Sequence, residues 1–540
     1  MHVRWRAVWF TALGLVLLGL AHPGFAQTEQ ESGRFGGRVT IGKVAVGSLM
    51  FQPLYISLGV EREIASLIYG EGLLRQDDKG RMTSGLAYPP LMMNGGREWI
   101  FRIQQGLRFH DGYPLSADDV VFTYLLYKQS RAYDPIFHRY FQNLETIQAV
   151  DLRTVRFVMK EPVAEFPLAL ATLPILPRHQ QDSRPFADVQ READLSRPVG
   201  LGPFRLETWP VHDTVVLMAN RHWYRGRPYL DSIVYRFYAS TEELQAAFIK
   251  REVDVVEVDR ASNFAELKRA RSDARIQAVQ PRHRSFAAVF YNHQHPILSN
   301  RVVRQALTYA TDRVRIISQL MTPGTGSLAH SPVDESFWAQ GGAIRYKYEP
   351  GKALGLLKQT GWRDSDHDGI LNFGKQPLQF ELLFPRGSLS SEKVVRMIKL
   401  NLNDIGVNVI PTPVDQKELV QRLRLGLYEA ALYIQDFEST PDDFYAVFHS
   451  ESIDLGFNRL RYQNRQVDRA ISFLYGITDR SRALPIYQNL QMLLSDDQPC
   501  MFLYFVNAQY VAYDPRCQNV GLPGTALNSP AVWYLLSEAQ

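Results

Sequence analysis

EWIFRIQQGLRFHDGYPLSADDVVF, residues 98–122, places a strand, a tight turn and a helix start in one stretch. Trp99, Phe101 and Ile103 alternate with Ile100, Arg102 and Gln104, the period of a strand with one apolar face. Asp111-Gly112 supplies a turn. Ser116 followed three residues later by Asp119 is a capping-box pattern, and the helix it opens runs through Val120, Tyr124 and Leu125. That pair reads as structural rather than chemical.

Working outward, residues 39–46 read as a first strand and 61–69 as a helix with Ile64, Leu67 and Ile68 along one side. Gly70, Gly72 and the polar stretch 76–80 then punctuate the chain, a candidate crossing between domains. Further strands are expected at 155–159, 204–209, 214–218 and 233–238, then a helix at 241–250 and a strand at 253–258, which is local α/β order. The proline-rich path 174–198 interrupts this series. Beyond Pro281 come a strand at 285–291, a helix at 300–310, helices at 349–359 and 393–404 around a strand at 378–384, a strand end at 433–437 and a helix at 466–474. No internal repeat emerges.

The chain has 540 residues, too many for one core, so about three domains are expected. With 45% hydrophobic and 21% charged residues it can bury substantial cores. Arg4 and Arg6 precede an uncharged apolar run from Ala7 to Ala21, and Gly24 and Ala26 place small residues for cleavage after Ala26. This reads as an export signal at 1–26. A retained membrane anchor is the alternative, though the run is shorter than the ~20 residues a spanning helix needs. No cysteine lies near the cut, so no lipid anchor is expected.

Cys500 and Cys517 flank an apolar run and a turn-like Asp514-Pro515, and in an oxidising compartment they would close a hairpin-like loop as a disulfide. The other reading is two separate buried thiols. Loss of Arg4 and Arg6 lowers the formal charge from +4 to +2, too small an excess to imply nucleic acid. There is no Gly-x-Ser-x-Gly turn, His-Glu-x-x-His site, zinc-finger spacing or phosphate loop, so neither catalysis nor a cofactor is expected.

The 98–122 stretch resembles the large extracellular solute-binding proteins of the peptide and nickel uptake family, which serve ABC transporters. The resemblance continues at Gly200-Leu201-Gly202-Pro203-Phe204, at Trp223-Tyr224 with Gly226-Arg227-Pro228, and at Val303-Arg304-Gln305-Ala306-Leu307 through Asp312-Arg313 and Gly361-Trp362. Leu201 departs from the threonine often found in that turn, and residues 47–53 only loosely match the family's early signature. The resemblance implies an α/β fold, the two-lobed periplasmic binding protein with a hinge and an additional domain (type II, cluster C-like). On that analogy 27–75, 199–281 and 505–540 form the first domain, 76–198 the second and 282–504 the third. It also implies a monomeric periplasmic protein that captures a di- or oligopeptide and hands it to ABC permease subunits. A nickel complex, heme or oligosaccharide is the alternative ligand, and a sensor or adaptor role the alternative function.

Two charged residues follow from the resemblance as ligand contacts. Asp436, in Tyr433-Ile434-Gln435-Asp436-Phe437, matches the position whose aspartate meets a peptide ammonium, and Arg386, at a strand exit, matches an arginine that takes the ligand carboxylate. Phe51, Tyr55, Tyr291 and Phe437 are aromatic candidates to cover peptide side chains, against a core reading. Asn292 would add an amide contact or cap a strand end. Asp364, Asp366, Asp368 and Gly369 resemble the start of a calcium loop, but Lys375 stands at the twelfth position, where a bidentate glutamate belongs. His293 and His295 are a pair without an evident third metal ligand.

Overall fold

Residues 285–291 (SFAAVFY) are apolar at every position but the first, and all are buried in the strand Ser285–Tyr291. Phe286, Ala288 and Phe290 enter one hydrophobic cluster, with Phe444 and Phe502. Ala287, Val289 and Tyr291 enter another, with Leu382 and Ile398. A strand that feeds a core on each face must be apolar at both parities. Each fully buried Phe or Val on it contributes about 1.5–3 kcal/mol.

The computed structural model describes residues 34–44, 49, 51, 59–76, 82–129, 141, 143–161, 166, 170–171, 173–180, 198–208, 214–258, 264–279, 284–321, 325–455, 457–474, 477, 479–507, 509–520 and 533–535. The expected signal segment 1–26, Tyr55, and most of the 181–198 path lie outside them. No helix among the described residues is long and apolar enough to cross a membrane.

Ser285–Tyr291 belongs to a six-stranded sheet in the order Gly326–Leu328, Cys500–Val506, Ser285–Tyr291, Ala430–Asp436, Gln379–Pro385, Asn408–Val414. Gln379–Pro385 runs parallel to both of its neighbours, and Ser285–Tyr291 antiparallel to both of its own. The outer strand Asn408–Val414 carries Pro411 and Pro413. Asn408 N donates to Leu378 O at 2.9 Å and Arg386 N to Val414 O at 2.8 Å, so the even positions turn toward the sheet. Both prolines therefore turn outward, where no N–H is required.

A second, seven-stranded sheet has the order Arg275–Val279, Gln509–Tyr513, Val255–Val258, Arg38–Val44, Ser232–Tyr238, Thr214–Ala219, Phe204–Thr208. Arg38–Val44 runs parallel to Ser232–Tyr238 and to Val255–Val258. Residues 98–102 of the 98–122 stretch lie inside a four-stranded sheet, where Glu98–Arg102 runs between Leu91–Met93 and Thr154–Met159, with Leu144–Ala149 beyond. Its Phe101, Phe157 and Tyr124 share one continuous cluster with Val39, Ile233 and Leu217 of the seven-stranded sheet, so these two sheets make one lobe and the six-stranded sheet the other.

Ser116 N and Oγ both donate to Asp119 Oδ2, at 2.9 and 2.7 Å, the structural role expected of that pair. The glycines of the Gly200-Leu201-Gly202 turn let it lie on the end of helix Gly59–Tyr69. A Cβ at Gly202 would sit 2.2 Å from Leu67 O, and one at Gly200 2.2 Å from Ile68 O.

Two expectations fail here. The domain cut after residue 504 falls inside the strand Cys500–Val506, which continues to Val506. Cys500 and Cys517 form no disulfide; both are buried free thiols. After Val506 the chain leaves for the other lobe instead of turning back on itself, so Cys500 packs in a cluster of the six-stranded sheet and Cys517 in that of the first lobe. Burial pushes the Cys517 thiol up to about 12 and Cys500 well above its ordinary range.

Candidate functional site

Strand direction decides which residues meet between the lobes. In the six-stranded sheet Gln379–Pro385, Asn408–Val414 and Ala430–Asp436 all end on one edge, and Ser285 and Val506 lie on that edge too. In the seven-stranded sheet Arg38–Val44, Ser232–Tyr238 and Val255–Val258 end on the edge where Val279 and Gln509 lie. The chain crosses between lobes from Val279 to Ser285 and from Val506 to Gln509, so these edges face each other. Carboxyl ends of parallel strands commonly frame a ligand crevice in α/β folds.

Helix starts crowd the same crevice. Thr241–Ile249 begins just beyond Tyr238, Leu389–Asn403 beyond Pro385, Gln416–Leu425 beyond Val414 and Pro441–Phe448 beyond Asp436. Ser240, Ser388 and Thr440 cap three of them, accepting from Glu243 N, Ser391 N and Asp443 N. Thr440 with Asp443 forms a full capping box. Asp442 and Asp443 are therefore bound up in a helix start, which leaves Asp436 as the carboxylate at the strand exit.

Asp436 is well exposed, at 57%, on the crevice edge. Phe437 N donates to Arg284 O at 2.8 Å and thereby pins the strand end beside the crossing. Beyond Ala431 the strand Ala430–Asp436 parts from Gln379–Pro385, the two pairing only at Leu382↔Ala430 and Leu383↔Ala431. From Leu432 to Asp436 that side of the strand has no strand partner among the described residues. Ile434, in the middle of this length, is half-exposed.

Arg386 also lies on the crevice edge and is exposed. Its Nη2 donates to Pro413 O at 3.0 Å and its Nε lies 3.5 Å from Asp415 Oδ1, contacts that aim the guanidinium without using up its donors.

The other expected contacts go elsewhere. Tyr291 and Asn292 stand at the far end of Ser285–Tyr291, roughly 20 Å from the crevice at ~3.3 Å per residue. Tyr291 is wholly buried. Asn292 caps the strand end, donating to Tyr428 O at 2.8 Å and Gly426 O at 3.1 Å. Phe437 is buried edge-on against Phe444 at 5.0 Å and Phe286 at 5.6 Å, so it supports Asp436 from beneath. Phe51 is a core residue of the first lobe. His293 shares the far end, its Nε2 3.1 Å from Pro499 O. Burial, with Arg304 adding to it, drops its pKa to about 3. Asp364, Asp366 and Asp368 bring carboxylate oxygens within 4.8 Å of one another. Each also accepts a hydrogen bond from its own loop, from Gly369 N, Asn372 Nδ2 and Ile370 N respectively.

Contacts across the crevice were not foreseen from sequence. Lys417 Nζ lies 3.2 Å from Glu61 Oε1, Arg62 Nη1 3.7 Å from Asp436 Oδ2, and Thr241 Oγ1 donates to Gly387 O at 3.2 Å. Gly387 permits that approach, since a Cβ there would sit 3.0 Å from Ala239 O. Glu61 and Arg62 are consecutive residues of helix Gly59–Tyr69, and Lys417 lies in the first turn of Gln416–Leu425.

Comparison with known proteins bears on this crevice. Residues 82–454 match the family described as bacterial extracellular solute-binding proteins, family 5 Middle. The oligopeptide-binding protein AppA of Bacillus subtilis is 29% identical over 483 residues, covering 87% of each chain. Its structure in complex with a nonapeptide superposes with a TM-score of 0.84 at 26% identity, over 93% of this chain and all of that one. Heme-binding protein A of Haemophilus influenzae is 23% identical over 500 residues, covering 89% of each chain.

Proposed function

Because the chain belongs to family 5 of the bacterial extracellular solute-binding proteins, whose members bind solutes rather than transform them, we propose that it is the periplasmic component of an ABC importer and that its cargo is a peptide. The observation that carries the peptide reading is the strand edge Leu432–Asp436. It offers main-chain donors and acceptors to an extended backbone and ends in an exposed carboxylate. Addition of a peptide as a further strand satisfies groups that closure removes from water. A relative of known structure, 26% identical over 93% of this chain, holds a nonapeptide.

In this reading the peptide lies between the lobes with its ammonium at Asp436 and its carboxylate within reach of Arg386. The lobes close and open through the two crossings, and docking to the permease releases the cargo. Domains one, two and three correspond to the seven-, four- and six-stranded sheets. Cleavage after Ala26 frees the chain into the periplasm, where it works as a monomer without a cofactor.

The test is calorimetric titration of the purified protein with a free-amine oligopeptide and its N-acetylated form. Asp436→Asn should weaken the free-amine peptide about tenfold or more, as expected for a charge-assisted bond, and leave the acetylated one unchanged. Equal loss for both peptides, or no loss, sinks the assignment. Native mass spectrometry of protein taken from its own periplasm reads the cargo directly, and a stoichiometric heme or metal complex would replace the peptide.

A further inference from the structure

The two ion pairs across the crevice are mirror images in charge. The first lobe presents Glu61 and Arg62 from consecutive positions of one helix turn, and the second answers with Lys417 and Asp436. Their settings differ. Glu61 is wholly buried against a Lys417 that is about one-third exposed, whereas Arg62 and Asp436 are 50% and 57% exposed. The helix dipole disfavours a cation in a first turn, so helix stability does not account for Lys417 standing directly after the N-cap and first residue of Gln416–Leu425. An acid across the crevice does.

We infer that Arg62 competes with the cationic end of the ligand for Asp436, and so sets how strongly the crevice prefers a free amino terminus. The buried Glu61–Lys417 contact holds helix Gly59–Tyr69 against the second lobe, which keeps the Arg62 guanidinium at high local concentration beside Asp436. The Arg62–Asp436 pair is wet and 3.7 Å long, hence weak enough for an arriving ammonium to displace. Two cations crowded on one exposed carboxylate repel, so a peptide that places its ammonium there must move Arg62 aside. Arg62 is then a specificity-determining residue that lowers affinity for free-amine ligands and leaves amino-blocked ones alone. This inference rests on the reading of Asp436 as the ammonium partner.

Calorimetry with a free-amine pentapeptide and its N-acetylated counterpart, on the full chain and on Arg62→Ala, Arg62→Gln, Asp436→Asn and the double variant Arg62→Ala/Asp436→Asn, tests it. Both Arg62 variants should bind the free-amine peptide about two- to fivefold more tightly, the range of an exposed ion pair, with no change for the acetylated one. In the Asp436→Asn background the gain should vanish. Unchanged or weaker binding by the Arg62 variants, while Asp436→Asn still weakens the free-amine peptide, overturns the competition and spares the ammonium site. If Asp436→Asn has no effect, the ammonium reading fails and this inference with it.

Discussion

The two lobes bury cations in different ways. In the first, the buried cations among the described residues meet carboxylates: Arg271, 1% exposed, lies 2.5 Å from Asp514 besides donating to Phe248 O at 2.9 Å, and Lys43 lies 2.9 Å from Glu63 and 2.6 Å from Glu257. Burial works against the Lys43 charge, but Glu257 and Glu63 outweigh it and hold the ammonium firmly protonated. In the second lobe the guanidinium groups are caged by main-chain carbonyls. Arg313 donates to Ala329, Phe502 and Tyr346, and Arg304 to Leu298, Ser299, Asp497 and Gln498. A guanidinium with five donors in a rigid fork can tie three chain segments together at once. Here Arg313 sews strand Cys500–Val506 to the loops around Ala329 and Tyr346. The first strategy neutralises charge. The second organises backbone.

The difference predicts unequal costs of losing the arginine. Arg271→Met should destabilise the first lobe by about 2–4 kcal/mol, because it removes the nearest cation from the buried Asp514, which keeps Arg516 at 3.0 Å and Arg251 at 3.6 Å. Arg313→Met leaves only neutral carbonyls behind and should cost about 1–3 kcal/mol. Asp514→Leu added to Arg271→Met should recover most of the loss. Denaturant unfolding followed lobe by lobe checks the order, and equal costs would erase the distinction between the two strategies.

A smaller effect concerns pH. His110, in the first lobe, is held to a pKa of about 4 by burial, and His293, in the second, to about 3 by burial and then by Arg304. Both sit below the ~6.5 of an unfolded histidine, so the unfolded chain takes up these protons first as pH falls. Stability is therefore greatest above pH ~6.5 and drops as pH descends toward 4. Removal of His293 should flatten that drop more than removal of His110, because only His293 faces a caged cation. Melting curves from pH 7.5 to 4 for His110→Gln and His293→Gln test this, and the reverse ranking would show that the cage does not leave its charge exposed to neighbours.

The smallest expected effect is none. With Cys500 in one lobe and Cys517 in the other, reductant should shift the melting temperature by less than about 1 °C, since there is no loop constraint to release. Both thiols should resist modification until unfolding, because their raised pKa values leave little thiolate. A drop of several degrees with reductant would mean that the lobes are tied together.

Strands buried on both faces were the most legible part of the sequence, and 285–291 coincides with the observed Ser285–Tyr291. Two elements escaped notice because of proline. Asn408–Val414 hides behind Pro411 and Pro413, which an outer strand tolerates, and Arg480–Asp497 carries Pro485 within a helix. At the site, Asp436 and Arg386 were legible only through the family resemblance, which carries a charged residue to each strand exit, and both lie exposed on the crevice edge. Tyr291 and Asn292 also end a strand, but sequence does not say which way a strand points, and theirs points away. The partners Glu61, Arg62 and Lys417 carried no local signal at all, since each acquires meaning only from a lobe encoded hundreds of residues away.

The outward prolines of Asn408–Val414 bear on how such a protein can be stored. Where many copies of a binding protein share one compartment, crowding brings bare sheet margins into collision. A margin with donors at every second residue would recruit a neighbouring chain and grow into fibrils. Two missing donors in a row of outward positions, Pro411 and Pro413, interrupt that growth at its first layer. The same short stretch that obscured a strand from the reader of the sequence thus favours dispersal over deposition at high copy number.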